Sequence, residues 1–123
     1  MQARAIVGVI ITPMKRTRPY SPYATDAAQL LGAQVRLARL ERRWSVQELA
    51  DRAGVTPFTM RKVERGDMTV GLGVALEVAA LVGVPLFHED RSRLTLDADR
   101  TRARAALLPE RVRARKGEVK DDF

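Results

Sequence analysis

Apolar residues recur at three- and four-residue steps along much of the chain, which is the period of amphipathic helices. This pattern predicts a first helix over about 26–43, a pair of short helices within 45–66, a fourth over about 71–82 and a fifth over about 90–107. The predicted fold class is therefore all-α with four to five helices. The first helix is expected to turn five apolar residues toward the core: Leu30, Leu31, Val35, Ala38 and Leu40.

The boundaries of the short helix pair are marked by capping residues. Ser45 can cap the first of the two, with Glu48 three residues later completing a capping box. Gly54 lies where the end of that helix needs a left-handed residue. Thr56 can cap the second helix, and Pro57 occupies its first position, where a missing N–H costs nothing. Two helices joined by a tight turn are predicted.

The second helix of the pair has two different faces. Met60 and Val63 give it an apolar side that can be buried. The opposite side holds Phe58, Arg61, Lys62 and Arg65. This arrangement is typical of a helix-turn-helix whose second helix enters the major groove of DNA.

The other helices have weaker boundary signals. Thr25 is expected to cap the first helix and Thr69 the fourth, while Gly83 and Pro85 prevent the fourth from continuing. Trp44 is expected to close the first helix and to pack beneath the next one. The fifth helix has a thin apolar stripe, with these candidate contacts: Leu94, Ala98, Ala105 and Leu108.

Composition divides the chain into three parts, residues 1–24, 25–87 and 88–123. Residues 5–12 are apolar and β-branched, which favours a short strand; alternatively, residues 1–13 precede a natural start at Met14. Residues 14–24 are interpreted as an extended basic arm. The segment from Pro109 onward is charged with few apolar anchors and is expected to be mobile.

The net charge of +7 is unevenly distributed. Residues 1–23 have four basic and no acidic side chains, whereas residues 24–87 have eight basic and seven acidic ones. Affinity for DNA must therefore depend on where charges are placed, and on the arm. The apolar run 5–11 is too short to cross a membrane and lacks a convincing signal-peptide cleavage site. With no cysteine in the chain, a cytoplasmic location is expected.

Catalytic signals are weak, and no enzyme activity, cofactor or metal site is expected. The chain has one histidine, His88, which is most simply a solvated side chain, and a metal site would need more ligands. The glycines Gly71 and Gly73 lack the strand and lysine of a phosphate-binding loop. The serines have no positioned base nearby.

The residues of the helix pair resemble the lambda-repressor-like (Cro/cI-type) family of DNA-binding proteins. The matching motifs are Glu48-Leu49-Ala50, Gly54-Val55-Thr56 and Glu64-Arg65-Gly66, and the resemblance covers about residues 25–87. It implies a buried ion pair between Arg39 and Glu64. One departure is Val46, which stands where the family usually has a glutamine that contacts phosphate, with Gln47 beside it.

The same resemblance implies roles for individual side chains on double-stranded DNA. Phe58, Arg61 and Lys62 match positions near base edges; Lys62 can donate to guanine and Phe58 can contact a thymine methyl. The candidate backbone contacts are Arg43, Gln47, Thr56 and Arg65. Two alternatives stay open at this point: Phe58 as a core residue, and Arg61 as a phosphate-facing or solvated charge.

Both ends of the chain resemble HipB-like antitoxins, through MKRTRPYSPYATDAAQLLG before the module and ALLPERVRARKGEVKDDF after it. This resemblance implies a homodimer that binds an operator, represses its own operon and holds a HipA-like kinase toxin. One alternative is a free-standing repressor without a toxin partner. Another is a protein-binding module that has lost specific DNA recognition, which Val46 would favour.

Overall fold

The computed structural model describes residues 19–111, which form five α-helices. The helices are α1 (Pro22–Glu41), α2 (Val46–Ala53), α3 (Pro57–Arg65), α4 (Leu72–Leu81) and α5 (Arg91–Ala106). The predicted all-α class is confirmed for this range. The possible N-terminal strand, most of the basic arm and the tail from residue 112 lie outside the described residues. The chain divides into two compact units, one ending at Val84 and the other beginning at Pro85.

Helix α1 begins four residues earlier than predicted. The N-cap is Ser21, whose hydroxyl accepts a hydrogen bond of 3.1 Å from the Ala24 N–H, and Pro22 opens the first turn. Thr25 is therefore inside the helix, and residues 22–24 are helical and not part of an extended arm. The helix also ends earlier, at Glu41, because Arg43 adopts a left-handed conformation with φ of 60°.

The predicted caps of α2 and α3 are confirmed. Ser45 and Glu48 form both hydrogen bonds of the capping box, and Gly54 ends α2 with φ of 72°. Thr56 caps α3 by accepting the N–H three residues further on, and Gly66 ends α3 with φ of 75°. Local hydrogen bonds thus determine where the two short helices begin and end.

The core of the first unit lies between α1, α2, α3 and α4. Leu49 and Met60 are fully buried, so α2 and α3 each turn one apolar face inward. The remaining core residues are Val35, Ala50, Val63, Val78 and Val82. Trp44 packs against this core, and the Arg52 guanidinium lies over its ring at 4.1 Å from the centroid.

Helices α1 and α3 approach each other closely at two glycines. A Cβ atom on Gly32 would lie 2.6 Å from the carbonyl oxygens of Val63 and Glu64. A Cβ on Gly66 would lie 2.8 Å from the Cα of Gln29. The backbone contact positions α3 directly on α1, and any side chain at either site would push the helices apart.

Two further sequence predictions for this unit are wrong. Leu30 and Leu40, expected on the inner face of α1, are 59% and 47% exposed. Thr69 does not cap α4, because its N–H and hydroxyl both donate to the Asp67 carboxylate. Helix α4 instead begins after Gly71 without a side-chain cap.

The second unit contains α5, whose ends fall within one residue of the predicted ones. Asp90 caps it by accepting from the Ser92 N–H at 3.0 Å. No residue of α5 is buried, and the expected apolar contacts at Leu94 and Leu108 are 37% and 68% exposed. None of the helices within residues 19–111 combines the length and apolarity needed to cross a membrane.

Candidate nucleic-acid interface

The outer face of α3 presents one aromatic and two arginine side chains to solvent. Phe58 is 65% exposed, and Arg61 and Arg65 are also exposed, whereas Met60 and Val63 are buried on the opposite side. The alternative that Phe58 is a core residue is therefore excluded. A single exposed aromatic side chain is common on protein surfaces, so the significance of Phe58 depends on the charged side chains beside it.

Phe58 and Lys62 lie together on this face. The Lys62 ammonium is 5.6 Å from the centroid of the Phe58 ring, within the range of a cation–π contact. The two residues are one turn apart, so the ring restrains the half-buried lysine. The pair combines an apolar ring with a charged hydrogen-bond donor. Such a pair can contact a thymine methyl group with the ring and a nearby base acceptor with the ammonium.

The C-terminal end of α3 has an acidic neighbour. Asp67 accepts hydrogen bonds from the hydroxyl and the N–H of Thr69, which lower the pKa of its carboxyl, and the charges of Lys62 and Arg65 lower it further. The Arg65 guanidinium is 3.9 Å from this carboxylate, with its side chain 59% exposed. Such an exposed pair is weak, so Arg65 remains able to reach a phosphate.

The other predicted backbone contacts lie on neighbouring elements. Arg43 is exposed in the turn between α1 and α2. Gln47 is exposed in the first turn of α2, where its amide donates to Asp51 at 2.8 Å. Thr56 is at the start of α3, and its hydroxyl already accepts the Thr59 N–H at 3.1 Å. Gln47 and Thr56 would have to exchange or share these bonds to contact a phosphate through their side chains.

Val46 has a structural role where a polar phosphate contact was expected from the resemblance. Its side chain is half-buried and packs against the core. The first turn of α2 also holds Glu48, whose carboxylate accepts the Ser45 N–H at 2.7 Å. A carboxylate here competes with an incoming phosphate for the helix N-terminus. The start of α2 is consequently a poorer anion site than the outer face of α3.

Arg39 and Glu64 form a two-bond ion pair that joins α1 to α3. Arg39 Nε lies 2.6 Å from Glu64 Oε2, and Nη2 lies 3.1 Å from Oε1. Arg39 Nη1 also donates to the Trp44 carbonyl at 2.9 Å, and Arg39 is 7% exposed. The hydrogen bonds with Glu64 raise the pKa of Arg39 against the opposing effect of burial. The pair holds the end of α3 in place and touches no part of its outer face.

His88, predicted as a solvated side chain, instead contacts Asp97 within the second unit. Its Nε2 bonds Oδ2 of Asp97, joining the turn before α5 to the middle of that helix. The contact lowers the pKa of the Asp97 carboxyl. His88 precedes α5 and Asp97 lies within it, nine residues later, which is not a spacing that sequence patterns associate with contact. The contact depends on the conformation of the turn before α5, so the sequence alone did not predict it.

A family model described as a helix-turn-helix domain matches residues 30–94. The matched segment contains all of α2, α3 and α4, most of α1 and the first residues of α5. Comparison with curated proteins and with solved structures gives no match. The match includes all seven residues predicted to contact DNA: Arg43, Gln47, Thr56, Phe58, Arg61, Lys62 and Arg65.

Proposed function

This chain belongs to the helix-turn-helix domain family, and we propose that it acts as a repressor by binding a specific operator as a homodimer. As a member of the family it is a DNA-binding transcription regulator. The observation that best supports sequence-specific binding is the outer face of α3, which exposes Phe58 and Arg61 beside Lys62. Side chains of these types can discriminate base edges, whereas contacts to phosphate alone cannot.

We divide the candidate DNA-contacting residues into those that contact bases and those that contact the phosphate backbone. Phe58, Arg61 and Lys62 contact base edges, with Lys62 on guanine and Phe58 on a thymine methyl. Arg43, Gln47, Thr56 and Arg65 fix the position of the protein on the backbone. The proposed role is binding without catalysis, and it requires no cofactor.

A salt titration tests specific binding. A labelled duplex from the upstream region of the gene is titrated with protein at two salt concentrations, beside a scrambled duplex of equal composition. The upstream duplex should bind more tightly, and both affinities should fall steeply with salt because bound cations are released from the DNA. Paired half-sites should be one helical turn, roughly 34 Å, apart. Equal affinity for both duplexes at each salt concentration would contradict specific repression.

Two alanine variants separate base recognition from positioning. Lys62→Ala should reduce discrimination at one base pair by about 1–3 kcal/mol, because a direct donor to the base is removed. Arg65→Ala should weaken binding to all sequences alike and reduce the salt slope by about one. The measurement is affinity for the operator and for each single-base variant of it. A uniform loss in Lys62→Ala would show that this lysine contacts only the backbone.

We further propose that the protein is the antitoxin of a toxin–antitoxin pair that binds a HipA-like kinase toxin. Support comes from the resemblance of the two ends of the chain, residues 14–32 and 106–123, to HipB-like antitoxins. Residues 14–18 and 112–123 of these ends lie outside the described residues. Residues 109–123 combine charge with few apolar anchors, so they suit ordering on a partner.

Truncation after Leu108 tests the proposed contact between tail and toxin. Operator binding should be nearly unchanged, because the helix-turn-helix and its core are intact, whereas capture of the neighbouring gene product should weaken. A matched full-length chain with the tail residues scrambled controls for length and charge. If the truncated chain captures that product with unchanged affinity, the tail is not the contact.

One observation favours the second candidate, a protein-binding module with weak DNA discrimination. Val46 is packed on the core and the Gln47 amide is paired with Asp51, so α2 offers few side-chain contacts to phosphate. Under this alternative the salt titration would show no preference for the upstream duplex, while capture of the partner would persist. A free-standing repressor would show the opposite pair of results.

A further inference from the structure

Phe58 lies in the first turn of α3, directly after Pro57, and its side chain is 65% exposed. The N-terminal residues of a recognition helix are the ones that contact base edges in the major groove. A phenyl ring has no hydrogen-bond donor or acceptor, so it can recognise an apolar group but not a polar edge. The apolar group that a base pair presents in the major groove is the methyl on C5 of thymine.

The same C5 methyl is present in 5-methylcytosine. Thymine and 5-methylcytosine differ in the major groove at C4, where thymine has an acceptor oxygen and cytosine has a donor amino group. An amide side chain in place of Phe58 would distinguish these two groups by hydrogen bonding, whereas the phenyl ring cannot. The chemistry of this side chain therefore selects for the methyl group and not for the base that carries it.

Unmodified cytosine finds no matching group on the outer face of α3. Within this helix, which the structure describes completely, the carboxylate of Glu64 is bound to Arg39 and its side chain is 8% exposed. Asp67 follows the helix, and its Oδ1 already accepts two hydrogen bonds from Thr69. The amino group of cytosine is recognised by a carboxylate acceptor. Without one, the C5 methyl is what distinguishes a modified from an unmodified cytosine beside the ring.

Lys62 places the recognised methyl next to a guanine. Its ammonium is 5.6 Å from the centroid of the Phe58 ring, and its half-buried side chain restricts how far it can move from that ring. Neighbouring bases of one strand are roughly 3.4 Å apart along the helix axis, so the ring and the ammonium can contact adjacent base pairs. An ammonium has donors only, which suits the two acceptors of guanine.

We propose that Phe58 binds the C5 methyl of a pyrimidine beside a guanine, so that 5-methylcytosine can replace thymine and cytosine methylation strengthens binding. This role for Phe58 rests on the proposed operator-binding function and adds the chemical group that the site recognises. Methylation of a cytosine in a half-site would then raise the affinity of the operator without a change in its sequence. Burying one methyl group strengthens binding roughly fourfold, and a homodimer on two half-sites makes the contact twice.

A scan of every pyrimidine in the upstream duplex tests the proposal. Each thymine is replaced in turn by uracil, which lacks only the C5 methyl, and each cytosine by 5-methylcytosine; affinity is measured beside the scrambled duplex. One pyrimidine of each half-site, next to a guanine, should respond, with a roughly fourfold loss for uracil or a roughly fourfold gain for 5-methylcytosine. At that position a 5-methylcytosine–guanine pair should bind more tightly than a cytosine–guanine pair by the same factor.

Three variants assign the methyl effect to one side chain. With Phe58→Ala, the methylated and unmethylated duplexes should bind equally. Phe87→Ala is the matched control, because it removes a 91% exposed phenylalanine from outside α3 and should keep the full methyl effect. Lys62→Ala should also keep the methyl effect but lose discrimination at the neighbouring guanine. Circular dichroism verifies that all three variants are folded.

Failure of this role for Phe58 can be told apart from failure of the proposed function. Operator discrimination without any methyl-dependent pyrimidine would overturn the role of Phe58 and leave the proposed function intact. A methyl effect that persists in Phe58→Ala would do the same, as would one at a base pair not adjacent to the pair that Lys62→Ala affects. Equal affinity for the upstream and scrambled duplexes would contradict the proposed function and, with it, the recognition of a methyl group.

Discussion

Replacing Arg39 with alanine is expected to lower the free energy of unfolding by about 3–5 kcal/mol. The guanidinium makes two hydrogen bonds to Glu64 and one to the Trp44 carbonyl, and both charged side chains are under 10% exposed. Removing one partner leaves a buried carboxylate and a carbonyl without donors. The loss is a large part of the stability of a domain this size.

Urea denaturation of three variants measures this effect. Arg39→Ala should lower the transition midpoint with little change in slope. Replacing both residues, as Arg39→Met with Glu64→Leu, should recover much of the loss because no unpaired charge remains. Arg36→Ala, an exposed arginine on the same helix, is the matched control and should have little effect. An Arg39→Ala midpoint equal to that of Arg36→Ala would show that the pair contributes nothing.

The helix boundaries that the sequence predicted correctly depend on contacts between close neighbours. The capping box joins Ser45 to Glu48 three residues away, and Gly54 adopts the left-handed conformation that it tolerates best. Such signals need no knowledge of the rest of the fold. The motif therefore identified α2, α3 and the turn between them from residue types and spacing alone.

The wrong predictions concern α1, where two residues can each cap the helix and where the buried face depends on packing against α3. Ser21 and Thr25 are both good N-caps, and the earlier one prevails because Pro22 suits the first turn. Helix α1 is apolar on two faces, so periodicity could not tell that Leu30 and Leu40 are outside. The inner face of α1 is the one that contains Gly32, because the absence of a side chain there lets α3 approach it closely.

For the candidate site, spacing placed Phe58 and Lys62 on one face, and the structure adds their contact and the exposure of the ring. The competing bonds of Gln47 and Thr56 could not be foreseen, because they depend on side-chain conformation. Which groups touch bases and which touch phosphates stays a prediction, since it depends on how α3 sits in the groove.

Gly66→Ala is expected to destabilise the protein more than Gly54→Ala, although both glycines end a helix in the same conformation. Their φ angles are 75° and 72°, and alanine in the left-handed region costs roughly 1–2 kcal/mol at either site. The space around Gly54 is open, with no atom within 4 Å of an added Cβ. At Gly66 the Cβ would lie 2.8 Å from the Gln29 Cα and 2.9 Å from the Ala28 carbonyl oxygen.

The difference between these two variants isolates the packing of α3 on α1. Backbone atoms of α1 cannot move aside as a flexible side chain can, so the clash at Gly66 should add about 1–3 kcal/mol. In a domain of this size each kcal/mol lowers Tm by roughly 4–8 °C. Thermal unfolding followed by circular dichroism compares the variants directly. Equal losses in Tm would mean that only the backbone conformation matters at Gly66, and that α3 can shift away from α1 at little cost.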